Sequence, residues 1–140
     1  METHHRTVYR VHQRVADSYR HGRVLLAGDA AHLNNPLGGF GLNSGVHDVW
    51  NLTEKLIAIL TDGADADALL DRYDRQRRTV MREFVQVQTI RNKKMLEAGA
   101  DGQRTQEQQL AAIVADDKQR RDYLLTQSMY RSREREAEIE

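Results

Sequence analysis

The sequence predicts a mostly helical chain with a small β element of two strands at its amino end. Three observations predict it. Short apolar runs bounded by turn residues occupy the first thirty positions, apolar residues recur at helical steps from Leu42 onward, and glycine and proline gather between these two regimes. Five of the nine glycines lie between Gly28 and Gly45, and the only proline, Pro36, is inside that window. Such crowding marks a backbone that takes unusual dihedrals or lies close to a ligand with no Cβ in the way.

Residues 7–16, TVYRVHQRVA, set Val8, Val11 and Val15 with Tyr9 in imperfect alternation, which predicts a strand. Residues 17–22 are polar and turn-like. Residues 23–27, RVLLA, are long enough for a buried strand and too short for a helix, and they stop at Gly28 and Asp29. From there the period changes: Leu42, Val46, Val49, Trp50, Leu56, Ile57 and Leu60 form one face of a helix that ends near residues 61–63. Asp65 is placed to cap a second helix, whose stripe of Leu69, Leu70, Tyr73, Val80, Met81, Phe84 and Val87 continues to about Ala98. Residues 98–102 read as a break. Leu110, Ile113 and Val114, then Tyr123, Leu124, Leu125 and Met129, mark two shorter helices, the last capped by Asp116 or Asp117. Residues 131–140 are almost all charge and read as a tail that frays into solvent.

At 140 residues, with 39% hydrophobic and 30% charged residues and a mean hydropathy of -0.73, the chain allows one polar domain and no second independent core. Lys plus Arg and Asp plus Glu are both 21, so the net charge gives no support to a nucleic-acid or anionic-membrane partner. The absence of cysteine excludes a disulfide scaffold, a thiolate metal site and a cysteine nucleophile. With no apolar run near ~18 residues, a cytoplasmic protein is the default. The six histidines include no pair at i,i+4 on one helix, so no metal site is expected. Arg72, Arg75, Arg77, Arg78 and Arg82, interleaved with Asp71, Asp74 and Glu83, read as a solvated helix face. His32 reads as a satisfied structural residue, His47 with Asp48 as a local polar contact, and Trp50, Leu56, Tyr73 and Phe84 as contributors to packing. No nucleophile and base pair emerges, so the catalytic residues stay unknown.

Residues 22–52 therefore read as a buried strand, an acidic residue at its carboxyl end, a glycine-rich loop and a helix that starts where the loop ends. Ligands of open α/β folds sit beyond the carboxyl ends of strands, and a helix amino terminus offers unpaired N–H groups with partial positive charge. Asp29 at the strand end can accept hydrogen bonds from sugar or ribityl hydroxyls. Gly38, Gly39 and Gly41 would let the main chain lie flat against a planar ring, the N–H groups of Leu42 and Asn43 would point to an electron-rich atom on it, and Asn43 can cap the helix.

GRVLLAGDAAH, followed by PLGGFGLNSGVHDVWNLTEKL, resembles the second FAD-binding motif of the flavin-dependent aromatic hydroxylases related to p-hydroxybenzoate, phenol and hydroxyphenylpropionate hydroxylases. The resemblance runs without a gap from Gly22 to about Leu56 and is weaker over VYRVHQRVA, DRYDRQRR and DYLLTQSMYRS. It implies FAD as cofactor, with Asp29 beside Gly28 on a sugar hydroxyl, the stretch from Pro36 through Gly38, Gly39 and Gly41 beside the isoalloxazine, and the N–H groups of Leu42 and Asn43 at its pyrimidine edge. A dipole fixed there would stabilise the negative charge of a reduced ring. The family's reaction is reduction of FAD by NAD(P)H, reaction with oxygen and hydroxylation of an aromatic or similar small substrate.

The sequence also departs from that family. No strand, GxGxxG turn and helix for the FAD pyrophosphate is present; Gly39-Phe40-Gly41-Leu42-Asn43-Ser44 ends in Ser and follows the strand by about a dozen residues. The resemblance therefore implies a fragment of an α/β FAD-binding fold of the p-hydroxybenzoate hydroxylase type: residues 1–62 as a partial FAD-binding domain and residues 63–140 as a carboxyl-terminal helical region. On this reading the chain is inactive without a nucleotide-binding part, supplied by a complementing amino-terminal chain. The alternative is a noncatalytic helical remnant or protein-interaction module, including a homo-oligomer. Two strands make no useful sheet alone, so the face of Val46, Val49, Trp50, Leu56 and Ile57 is expected to be partly exposed or buried by another chain.

Overall fold

In the computed structural model, which describes Thr7 and residues 10–140, the amino-terminal region forms four two-residue strands in two separate antiparallel pairs. β1 (Arg14–Val15) pairs with β4 (His32–Leu33), Val15 opposite His32; β2 (Arg20–His21) and β3 (Val24–Leu25) make a hairpin, His21 opposite Val24. The strand expected over residues 7–16 is thus confined to positions 14 and 15, with Val8 and Tyr9 outside the described residues. The buried strand expected over 23–27 shrinks to Val24 and Leu25, and Val24 is 61% exposed. The physical reason is that an isolated pair cannot cover both of its faces. Helix side chains take over the remaining backbone groups: Tyr73 Oη donates to the Leu26 carbonyl at 2.6 Å, and Asp74 Oδ1 accepts the Tyr19 N–H at 2.6 Å.

α1 (Phe40–Asp62) stops at Gly63, and α2 (Ala66–Val80) starts under Asp65, whose carboxylate accepts the Ala68 N–H at 3.0 Å. A π-helical turn, Met81–Val85, joins α2 to α3 (Gln86–Glu97), so the second helical run reaches nearly as far as its apolar stripe predicts. The break expected over 98–102 narrows to Ala98, because α4 (Gly99–Ala115) resumes at once. Gly102 serves contact here: a Cβ on it would run into the Met95 carbonyl. Asp116 caps α5 (Asp117–Gln127) by accepting the Gln119 N–H at 2.9 Å.

The charged tail does not fray. It folds as α6 (Tyr130–Ala137), because its charges alternate in sign and pair at i,i+3, Arg131 with Glu134 and Arg135 with Glu138. α6 also docks on α2, where Gln76 Nε2 donates to the Glu136 and Ile139 carbonyls, both at 2.9 Å.

Among the described residues, buried apolar side chains gather in two small clusters: Phe40, Met81, Val85 and Met129, and Tyr19, Ala31 and Tyr73, with Val15 touching both. Tyr73 is in the core as expected and Phe84 is half-buried, but Trp50 is 64% exposed and is no core residue. The cause is the orientation of α1. Its inward face carries Phe40, Ser44, Asp48 and Asn51, whereas Leu42, Val46, Val49, Trp50 and Ile57 face outward. The expected partial exposure of that apolar face is observed, with Leu56, placed on the same face, half-buried. Among the described residues no helix is long and apolar enough to cross a membrane.

Candidate functional site

The segment after β3 passes through a 3₁₀ turn, Gly28–Ala30, closed by the Ala31 N–H on the Gly28 carbonyl at 2.8 Å. Gly28 sits at φ +58°, a left-handed conformation in which a Cβ is penalised. The turn lies directly on α1: a Cβ on Gly45 would stand 3.3 Å from the Gly28 Cα, tighter than ordinary contact. Two glycines facing each other therefore set how closely the turn and the helix approach. Asp29, on the crest of the turn, is exposed, and its carboxylate has no hydrogen-bond partner within the described residues.

Beyond β4 the loop is fixed by amides. Asn35 donates through Nδ2 to Gln13 Oε1 at 3.1 Å and to the Thr89 carbonyl at 3.0 Å, while its Oδ1 accepts the Leu37 N–H at 3.1 Å. Asn92 Nδ2 donates to the Leu37 carbonyl at 3.2 Å. These contacts tie Pro36 and its neighbours to α3. The glycines that follow differ in role. Gly38, at φ +103°, is placed against protein, since a Cβ there would meet Phe40 at 2.6 Å and Asn92 at 2.8 Å, so its bareness serves this packing. Gly39 and Gly41 are more open. Gly39 is the residue before α1, and the helix begins at Phe40 with no side-chain cap; Asn43 is inside the helix, its Nδ2 donating to the Gly39 carbonyl at 2.9 Å, and does not cap it. A helix that starts at Phe40 leaves the N–H groups of its first turn, Gly41 and Leu42 included, without intrahelical acceptors.

Ala27, Gly28 and Asp29 on one side and the outer face of α1 on the other enclose an open groove of about 770 Å³, within the range of small-molecule sites. Gly41, Leu42, Gly45, Val46, Val49 and Trp50 supply most of its helix wall. Of the residues singled out in the sequence, the groove brings together Gly28, Asp29, Gly41 and Leu42. Pro36, Gly38, Gly39 and Asn43 lie outside its lining.

Behind the turn is a buried ionic network that the sequence reading missed. Asp48 Oδ2 accepts the Gly28 N–H at 2.9 Å and stands 2.8 Å from His32 Nε2, which places a proton on that nitrogen; Asp48 Oδ1 accepts from Arg77 Nε at 2.7 Å. Arg77 Nη1 reaches Glu136 on α6, and Asn51 donates to both Gln76 and Glu136. Asp48 and Arg77 are fully buried. Burial pushes the Asp48 carboxyl up, but hydrogen bonding from His32, the Arg77 guanidinium and the Gly28 N–H outweigh it and leave it below the ordinary carboxylate range. Arg77 is likewise opposed by burial and held above its ordinary value by Asp48 and Glu136. Arg77 is thus no part of a solvated face, and among the described residues Asp48 makes its contacts to Gly28, His32 and Arg77, not the local one expected with His47. The available signal was spacing: Ser44, Asp48 and Asn51 recur at helical steps on one polar stripe of α1, opposite the apolar one. Val46, Val49 and Trp50 were legible as a helix face but not as a groove wall, and Gly45 only as one of the clustered glycines.

Comparison with known proteins bears on this geometry. The model of a family described as FAD binding domain matches residues 1–88. The chain is 54% identical over 80 residues to a para-nitrophenol 4-monooxygenase from Pseudomonas sp. (strain WBC-3), which covers 57% of this chain and 20% of that protein. It is 49% identical over 85 residues to a 3-(3-hydroxy-phenyl)propionate/3-hydroxycinnamic acid hydroxylase from Mycolicibacterium smegmatis, covering 61% and 15%. The crystal structure of a p-nitrophenol 4-monooxygenase from Pseudomonas putida DLL-E4 superposes with a TM-score of 0.72 at 42% identity, over 85% of this chain and 31% of that one. The chain thus spans a third or less of the length of these relatives.

Proposed function

Because this chain belongs to the FAD binding domain family, with FAD as its cofactor, we propose that the turn at Gly28 and Asp29 and the first turn of α1 form part of the FAD site of a flavin-dependent monooxygenase. Its substrate on this reading is an aromatic ring or similar small molecule, with NAD(P)H and oxygen as co-substrates, within a fold of the p-hydroxybenzoate hydroxylase type. Residues 1–62 form the FAD-contacting part and residues 63–140 the helical region that supports it.

The observation that carries this reading is the exposed carboxylate of Asp29, without a hydrogen-bond partner among the described residues, at the rim of an apolar groove that also receives the amino-terminal turn of α1. The residues present fit FAD. Asp29 offers acceptors to sugar or ribityl hydroxyls, the free N–H groups of Gly41 and Leu42 offer donors to an electron-rich ring edge, and Val46 and Val49 give apolar area that excludes water. Bound FAD would supply the electron-accepting ring through which NAD(P)H and oxygen hydroxylate the substrate. Asn35 and Asn92 hold the loop around Pro36 in place by the amide contacts described above, and Gly39 and Asn43 complete the loop and first turns that the family resemblance puts beside the ring. The exposed face of α1 supports a second reading for the same surface, a docking site for a complementing chain or a second copy of this one.

The test is retention of FAD by the purified full chain after incubation and desalting. A flavin absorbance band is expected, and Asp29→Ala should weaken binding by about 1–3 kcal/mol through lost hydroxyl contacts. A colourless protein with unchanged helix content would contradict the flavin reading and favour the docking one, which size-exclusion chromatography then examines.

A further inference from the structure

We infer that Asp48 is the positioning residue of the flavin turn: its carboxylate, clamped by Arg77 and His32, holds the Gly28 N–H and thereby fixes where Asp29 stands. The inference deepens the reading of the groove as an FAD site and rests on it for the role of Asp29.

The geometry is specific. Among the described residues the Asp29 carboxylate has no hydrogen-bond or ion-pair partner to aim it, so its place follows the backbone of the turn. That backbone is held at both peptide groups of Gly28. The carbonyl accepts the Ala31 N–H at 2.8 Å, and the N–H donates to Asp48 Oδ2 at 2.9 Å. The first contact closes a local turn. The second crosses twenty residues to α1, the helix that forms the other wall of the groove, and so couples the two walls. Asp48 is itself anchored: both oxygens are engaged and the residue is fully buried. The clamp extends through Arg77 to Glu136 of α6, which ties the turn to the far end of the chain.

Asp48→Asn tests this selectively. Oδ1 faces Arg77, a permanent donor, while Oδ2 faces Gly28 and His32. An amide nitrogen turned to Arg77 would set a donor against a buried cation. Turned the other way, it meets His32 Nε2, which accepts only if the ring proton moves to Nδ1, buried and without a partner among the described residues, and the Gly28 N–H, which cannot accept. The variant therefore keeps the Arg77 contact and releases Gly28.

The measurements use the full 140-residue chain. In the wild type, a through-hydrogen-bond scalar coupling between the Gly28 nitrogen and the Asp48 carboxyl carbon is expected; its absence from well-resolved spectra overturns the inference without any variant. In Asp48→Asn, exchange of the Gly28 amide proton should quicken about tenfold or more, with the Ala68 amide unchanged, and the Kd for FAD should rise about tenfold. A double-mutant cycle with Asp29→Ala separates positioning from general destabilisation. Positioning requires that Asp29→Ala cost much less affinity in the Asp48→Asn background; additive losses overturn it. If the wild type binds no FAD, the flavin reading fails, and the coupling alone decides whether Asp48 holds the turn.

Discussion

Replacing Arg77 with methionine keeps the aliphatic bulk of the side chain and removes its charge from the centre of the buried network. Arg77 donates to Asp48 at 2.7 Å, to Glu136 and to the Ser44 carbonyl at 3.4 Å, and is 1% exposed. Breaking one side of a buried pair costs roughly 3–5 kcal/mol, mostly through the charge left behind. Here the lower end applies. Glu136 is 17% exposed in its side chain and can turn to water, while Asp48 keeps the Gly28 N–H and His32 as donors. A loss of about 3 kcal/mol is a large share of the stability of any domain of this size and corresponds to a fall in Tm of about 10 °C.

The pH dependence has a fixed sign. Asp48 is held below its ordinary value in the folded chain, so its stabilisation is complete above the unfolded carboxylate pKa of about 3.9 and is lost as pH falls through the lower, folded value. Without Arg77, burial is less opposed and the carboxyl accepts a proton at higher pH. The gap in Tm between wild type and Arg77→Met should therefore be widest near neutrality and narrow in acid. Thermal melts followed by circular dichroism at several pH values measure it. A fall of under about 3 °C at pH 7, or a gap that stays constant into acid, would refute the network's assigned role.

Gly45→Val should push the Gly28 turn off α1, because even a bare Cβ at Gly45 lies 3.3 Å from the Gly28 Cα; at least a tenfold weaker FAD affinity is expected (about 1.4 kcal/mol), and unchanged affinity would show that the close approach does not shape the site. Trp50, exposed with its indole N–H donating to Glu54 at 2.9 Å, should be quenched by acrylamide nearly as freely as a small indole and become protected when FAD enters the groove. A blue-shifted, unquenched emission from a monomer would contradict the exposed face. Deleting residues 130–140 removes α6 and with it the Glu136 contacts to Arg77 and Asn51; Tm should fall at least as far as in Arg77→Met, and an unchanged melt would mean that α6 does not support α2.

Local signals carried much of this architecture. Asp65 and Asp116 cap where short polar side chains precede apolar periods, and the apolar face of α1 and its end at Gly63 follow from period and glycine alone. The strands were legible as extended segments but not in their brevity, because pairing depends on partners that lie far along the chain: Val15 meets His32, and Leu26 gives its carbonyl to Tyr73. At the site, Gly28 and Asp29 stood out because a glycine and an acid end an apolar run. Asp48, Arg77 and Glu136 did not: Arg77 and Glu136 sit among like and opposite charges that resemble a solvated surface, Asp48 is a lone acid in an otherwise uncharged stretch, and only the fold brings three segments together around one carboxylate. Gly38 shows the converse: its place in a glycine cluster suggested ring contact, whereas its Cβ space is filled by Phe40 and Asn92.

The most direct test of the flavin site is to titrate FAD into the isotopically labelled chain and follow backbone amides. The account requires that Gly28, Asp29, Gly41 and Leu42, together with the Trp50 indole, shift in concert along one saturating curve, while Gly63 and Gln119 stay still. Shifts gathered instead around the separate cavity between α3, α4 and α5, at Gln103 and Gln109, or none at saturating FAD, would contradict it.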